Sequence, residues 1–216
     1  MNTRLTLAVL ALGVSGVANA ATESWNQWDA DNHGTITTGS GSVDVGFSGE
    51  TGSGWYASYP SWQPSATWAD GSVVANGPTG GIVRLTGGNA NVQTITFSQA
   101  VVDPVISIWS LGQGGTTASF DFLNATPVFV AGGANAEYGG QAITVSGNVV
   151  SGNEGNGTVQ FIGTFNSISW TNPLHEDWYG FNVGIAGAVP EPASTSLLLA
   201  GLALMGVAAR RRRRMR

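Results

Sequence analysis

The sequence contains no cysteine and no lysine. Without thiols there are no disulfides, no thiolate metal sites and no cysteine nucleophile, so the fold rests on packing, with a bound ion as the one further aid left open. Other basic residues are also scarce. Arg4 stands near the start, six arginines crowd the last seven positions, and Arg84 alone falls between. Twelve acids from Glu23 to Asp177 oppose it, so this central body carries a net charge near −11. Such a surface repels nucleic acid and anionic lipid, both of which need clustered cations. Helical periodicity is missing too: no window between Ala21 and Ala188 repeats apolar residues at the helical spacing.

Long apolar runs occur only at the ends. Met1–Arg4 is a positive n-region, Leu5–Val17 an apolar stretch and Ala18-Asn19-Ala20 a small-x-small cleavage site. Residues 1–20 therefore predict a secretory signal peptide, with the mature chain starting at Ala21. At the other end Val189, Pro190, Glu191 and Pro192 precede an uncharged run, 193–209, which is followed by Arg210, Arg211, Arg212, Arg213, Arg214 and Arg216. As a helix that run spans roughly 25 Å, near the lower limit for crossing a bilayer. The arginines stop transfer and stay cytoplasmic, leaving the body outside. By composition alone the same residues also describe an ordinary C-terminal membrane anchor.

The order of Pro-Glu-Pro signal, apolar helix and basic tail over Val189–Arg216 resembles the PEP-CTERM sorting signal of Gram-negative bacteria. The resemblance implies that an exosortase, an integral-membrane cysteine protease, cuts near Pro190-Glu191-Pro192 and passes the body to the exterior. Its implied partners are the export machinery and the exosortase. Its implied route runs from a transient inner-membrane anchor, N-terminus out, to the cell surface or extracellular matrix.

Residues 21–188 are long enough for one domain with a core. Thirty-two glycines, about twice the usual share, punctuate short alternating runs, the pattern of an antiparallel β protein. Thr35–Thr38 and Ser42–Phe47 predict a hairpin with Val43, Val45 and Phe47 on one face. Ile82–Leu85 and Val92–Phe97 predict a second, across Gly87-Gly88-Asn89. Val105–Leu111 is apolar on both faces, Ile106 and Ile108 against Val105, Trp109 and Leu111, and belongs at the centre of a sheet. Further strands are expected at Ala118–Phe122, Val128–Val130, Gln141–Val145, Thr158–Thr164, Ile168–Trp170 and Gly180–Ile185. Val159, Phe161 and Phe165 are expected on one side of a single strand. About ten strands without helices predict an all-β fold, a single jelly-roll-like β-sandwich between the signal peptide and the C-terminal transmembrane helix. Within it Ile95–Val105, Gly155–Phe161, Ser167–Trp170 and Trp178–Phe181 resemble bodies of PEP-CTERM proteins of unknown function, which implies an exported β domain and no catalytic residues.

Chemistry-bearing motifs are few. His175-Glu176 lacks the second histidine of a zincin helix, and no Gly-x-Ser-x-Gly elbow occurs. Glu137, Glu154, Glu176 and Asp177 offer carboxylates for a glycosidase pair, and a secreted glycan hydrolase is the least favoured of three readings. Asp29-Ala30-Asp31-Asn32-His33-Gly34 has the first, third and sixth positions of a calcium loop, but His33 replaces an oxygen donor and Ser40 stands where a bidentate glutamate is wanted. Asp29 and Asp31 are thus a weak calcium candidate beside the plainer reading of an Asp/Asn-rich turn; no other cofactor is expected. The stretch Gly49–Gly81 gathers Trp55, Tyr56, Tyr59, Trp62 and Trp68 among glycines and prolines. Trp55, Tyr56, Tyr59 and Trp62 with Gln63 suit stacking on a sugar's apolar face, but the favoured reading of such rings is that they plug the end of the sandwich. The favoured reading is a non-enzymatic surface or matrix protein processed by an exosortase; the alternative is a carbohydrate-binding module held in exopolysaccharide.

Overall fold

The described residues of the computed structural model are 22–30, 32–50, 54–56 and 60–186, the side chains of 55 and 56 excepted. Their strands, in chain order, are β1 (Glu23–Trp25), β2 (Gln27–Trp28), β3 (His33–Thr38), β4 (Gly41–Ser48), β5 (Trp55–Tyr56), β6 (Ile82–Leu85), β7 (Val92–Val102) and β8 (Val105–Leu111). There follow β9 (Ala118–Phe122), β10 (Pro127–Gly132), β11 (Gln141–Ala142), β12 (Thr144–Ser146), β13 (Val149–Gly152), β14 (Gly155–Phe161), β15 (Thr164–Thr171) and β16 (Tyr179–Ala186). One sheet runs β10-β14-β8-β16-β6-β5, with β1 on β16 and β11 on β14; the other runs β12-β13-β9-β15-β7-β4-β3-β2. All pairings are antiparallel except β11 with β14. The fold is a two-sheet β-sandwich, as the alternation of the sequence predicts.

Alternation decides which side chains meet between the sheets. Val43, Val45 and Phe47 of β4 point inward while Asp44 is exposed. Across the gap, Phe181 of β16 meets Trp170 of β15 edge-on at 5.3 Å, and Phe120 of β9 stacks on Trp170 at the same distance. In β8 all seven residues are buried, between β14 and β16. Its alternation breaks at Ser110, whose φ of 55° accompanies a register shift against β14. The break turns Leu111 into the inter-sheet core beside Ile106 and Ile108, not onto the face of Val105 and Trp109 as strict alternation predicts.

Three further expectations are corrected by sheet crossings. Ile82–Leu85 and Val92–Phe97 are not a hairpin: β6 pairs with β16 and β5, whereas β7 lies in the opposite sheet. The crossing wraps around the buried carboxylate of Glu50, which accepts hydrogen bonds from the Thr86 N–H and hydroxyl, the Gly87 N–H and the Asn89 amide. Gln141–Val145 splits into β11 in one sheet and β12 in the other, with Ile143 buried at the crossing. Phe165 does not share a strand with Val159 and Phe161, because the chain changes sheets at Gly163, φ 129°. A period-two pattern reads the same on either sheet, so it cannot reveal these changes.

The stretch 60–81 forms a third, partial layer. It returns over the outer face of the β8 sheet through a single 3-10 turn, Ser65–Thr67. Ser107 and Thr158 share a hydrogen bond at 2.7 Å, and the Thr158 hydroxyl donates to the Trp68 carbonyl at 2.8 Å. Beneath this layer Trp62, Trp68, Ile82 and Trp109 form a second core cluster. Asp70 fixes the turn that follows, accepting from the Ser72 hydroxyl and the N–H groups of Ser72, Val73 and Val74. Slight burial would raise its carboxyl, but those donors prevail and hold it down at about 2.

Candidate functional site

The sorting residues Val189, Pro190, Glu191 and Pro192, the apolar run 193–209 and the arginines Arg210–Arg214 and Arg216 lie outside the described residues, as do residues 1–20, where a signal peptide is expected. The chain reaches them from β16, a strand paired with β8, β6 and β1, so a strand with three partners leads into the signal. Among the described residues no helix is long and apolar enough to cross a membrane.

The aromatic candidates separate. Trp62 is 4% exposed; its indole N–H donates to the Gly80 carbonyl at 2.7 Å and its ring meets Trp68 edge-on at 4.8 Å. That ring packs the third layer and offers no open face for a sugar. Gln63 is exposed. The backbone of β5 sets Trp55 opposite Val83 and Tyr56 opposite Ile82, beside Arg84 on the next strand, while their side chains and Tyr59 lie outside the described residues.

The structure adds residues that the sequence did not single out. Tyr138 is 61% exposed, and its ring rests edge-on against Trp109 at 5.4 Å. Its turn is held by Asn135, whose side-chain oxygen accepts from the N–H groups of Glu137 at 2.9 Å and Tyr138 at 2.6 Å. Ala136 donates to the Gln63 carbonyl at 2.8 Å, and the Ser61 N–H donates to Glu137 at 3.0 Å. Tyr138 and Gln63 therefore stand on two loops locked to one another. Behind them Trp178 stacks on Trp109 at 5.2 Å, with the Arg84 guanidinium 5.0 Å from the Trp178 ring centre. An exposed phenol ring near an amide and a carboxylate can stack on a sugar and take its hydroxyls. Only proximity in space, not sequence pattern, joins these residues.

Of the four acids considered for hydrolysis, Asp177 and Glu154 both come near enough to Glu176 for their charges to act on it. Glu154, at φ 56°, accepts the Ser110 hydroxyl at 2.6 Å. Glu176 is 1% exposed, and burial first, then the charges of Asp177 and Glu154, push its carboxyl up to about 8. Neither of its carboxyl oxygens reaches solvent. A raised acid beside a second carboxylate has the electronics of an acid–base pair, but a general acid must also touch its substrate. A described cleft of about 350 Å³ is lined by one acid, Asp103, and another of about 170 Å³ by none.

Asp29 is exposed and accepts the His33 ring nitrogen at 2.8 and 3.0 Å, while Asp31 lies outside the described residues. Ser40 bonds Thr38 at the far end of β3, roughly 20 Å of extended chain from His33, so it cannot close a loop around Asp29. Among the described residues no group of three or more histidines and acids is placed to hold a metal ion.

Residues 188–214 match the PEP-CTERM protein-sorting motif. The chain thus carries a PEP-CTERM signal, which marks an exported protein processed at the membrane by an exosortase. The match covers the signal alone and assigns nothing to the body. No curated protein and no solved structure matches the chain.

Proposed function

We propose that the chain is a non-enzymatic protein of a Gram-negative cell surface or extracellular matrix, freed from a transient inner-membrane anchor by cleavage near Pro190-Glu191-Pro192. The signal peptide at residues 1–20 would hand it to the export machinery. The motif match at residues 188–214, directly after the last strand of the body, carries this reading. The shielding of Glu176 supports a structural role for the acid with the most enzyme-like surroundings. Intact-mass measurement of the protein recovered from the matrix or medium tests the processing. The expected chain starts near Ala21 and ends close to Pro190, with or without an added group. Recovery with Arg216 still attached would leave an ordinary membrane anchor.

A second reading, glycan binding within the matrix, is favoured by Tyr138 on its rigid turn beside Gln63. Neutral polysaccharide suits this body, because stacking meets none of the repulsion that a charge near −11 sets against acidic polymers. Tyr138→Ala is expected to weaken retention on a neutral matrix polysaccharide at least tenfold with the melting temperature nearly unchanged. Trp62→Ala should instead lower the melting temperature. Equal retention of the native and Tyr138→Ala proteins would remove this reading.

A further inference from the structure

Glu23 opens β1 opposite Ala186, the last residue of β16. It is 3% exposed, and both of its carboxyl oxygens are shielded without a hydrogen-bond donor. The hydrogen bonds at this residue belong to its backbone, which exchanges a pair with the Asn76 side chain. A carboxylate buried in this way is costly unless it is paired, coordinates a metal or gives up its charge. Arg84 is the sole basic residue of the body, and it stands opposite Gly180. Six residues of extended β16 separate those positions, roughly 20 Å, and the Arg84 guanidinium lies over Trp178, away from Glu23. The charge that does reach Glu23 is a second negative one, Asp103.

Asp103 occupies the β7–β8 turn with φ 49°. Its N–H donates to the Gly163 carbonyl at 2.8 Å and its Oδ1 accepts the Gly163 N–H at 2.6 Å, which fixes the carboxylate and leaves Oδ2 for a ligand. Asp103 and Ala186 both line the cleft of about 350 Å³ at this end of the sandwich, so the cleft opens Asp103 to solvent beside the strand end where Glu23 pairs with Ala186. We propose that Glu23 and Asp103 together bind a hard divalent cation of the calcium type, with water completing its oxygen shell. Two acids are fewer than tight calcium sites use, so the affinity falls in the millimolar range of extracellular modules. Export places the body where calcium reaches that concentration.

The test uses the exported, processed protein with calcium chloride alone as the probe. Near pH 7.5, about 10 mM calcium is expected to raise the melting temperature by about 3–5 °C over the same protein in chelator. Magnesium, which demands a stricter octahedral shell, should give less than half that shift. Glu23→Gln and Asp103→Asn should each remove the calcium response. Asp103 is only partly buried, so Asp103→Asn keeps the comparison informative if Glu23→Gln does not fold. Calorimetric titration of the native protein with calcium should give one site per chain. No calcium-dependent shift in the native protein overturns the proposal and leaves Glu23 as an acid held uncharged by burial. An undiminished shift in Asp103→Asn also overturns it, because the calcium would then be acting on the acidic surface at large.

Discussion

Between about pH 5 and pH 8.5 the processed protein, in chelator, is expected to lose several kcal/mol of folding stability, and Glu176→Gln to remove about half of that loss. Glu176 sits in the loop before β16, its N–H bonded to the Thr86 carbonyl at 3.0 Å and its side chain buried. Desolvation is the main cause that pushes its carboxyl up to about 8; the charges of Asp177 and Glu154 add to it, and the Gly112 N–H opposes them. Below the ordinary carboxyl value the group is protonated in folded and unfolded chains alike, so its contribution to stability is whole. From there to about 8 the unfolded chain has released the proton and the folded chain keeps it, and stability falls by up to ~1.4 kcal/mol per pH unit. Above that value both forms are ionised and the loss is complete. Glu23, pushed up to about 8 by burial and then by Asp103, contributes a slope of the same sign, which is why Glu176→Gln retains part of the effect. Asp70, held at about 2, acts in the opposite direction but only at strongly acid pH, outside this window. Urea midpoints at the two pH values, for native and variant, measure the effect. A native midpoint that stays level across the range would mean that neither acid is held protonated by the fold.

The burial of both acids was invisible in the sequence, and the reason is physical. Alternation identifies a strand's two faces but not what covers them, and Glu23 and Glu176 are buried by neighbours distant in the chain. Glu23 is tied to Asn76, and Glu176 lies over the Thr86 and Gly112 backbone. By contrast, the β3–β4 hairpin was legible, because a Gly-rich turn joins two runs whose apolar residues share a period. The central place of β8 was legible too, since both of its faces are apolar. Leu111 was misplaced because one backbone angle at Ser110 reverses the alternation after it. The Ile82–Leu85 and Val92–Phe97 runs look like a hairpin for the same local reasons as β3 and β4. What separates them is the carboxylate of Glu50, remote in sequence, around which the connection turns. The sorting signal is the opposite case, because its chemistry is read as linear sequence and needs no fold to be recognised.

The aromatics show how far residue type can carry a site. Trp55–Trp62 offered both a sugar-contact set and the favoured reading of rings that plug the sandwich, and Trp62 is a packing ring, set against Trp68 in the third layer. Among the described residues Tyr138 is an exposed ring whose backbone is held by Asn135 and whose edge rests on Trp109. Burial of an indole and presentation of a phenol depend on which loops meet. The 2.8 Å bond between Ala136 and Gln63 makes that meeting here.

Trp109→Ala is expected to cost about 3–5 kcal/mol, a large share of the stability of an ordinary domain without disulfides. Trp109 is fully buried, but it does not sit between the two sheets. It points from β8 to the outer face, where it packs with Trp62, Trp68 and Ile82, stacks on Trp178 and supports Tyr138. Truncation would open a cavity that those rings can fill only by abandoning their own contacts, so the cost should lie near the top of the large-to-small range. The same substitution tests whether the third layer folds with the sandwich. If it does, urea unfolding of Trp109→Ala followed by tryptophan fluorescence and by far-ultraviolet dichroism should give one shifted transition, the same for both probes. A fluorescence change that precedes the loss of β structure would mean that the layer detaches first. A total cost below about 1 kcal/mol would mean that Trp109 is not packed as described, because an indole removed from a close-packed cluster cannot be lost so cheaply.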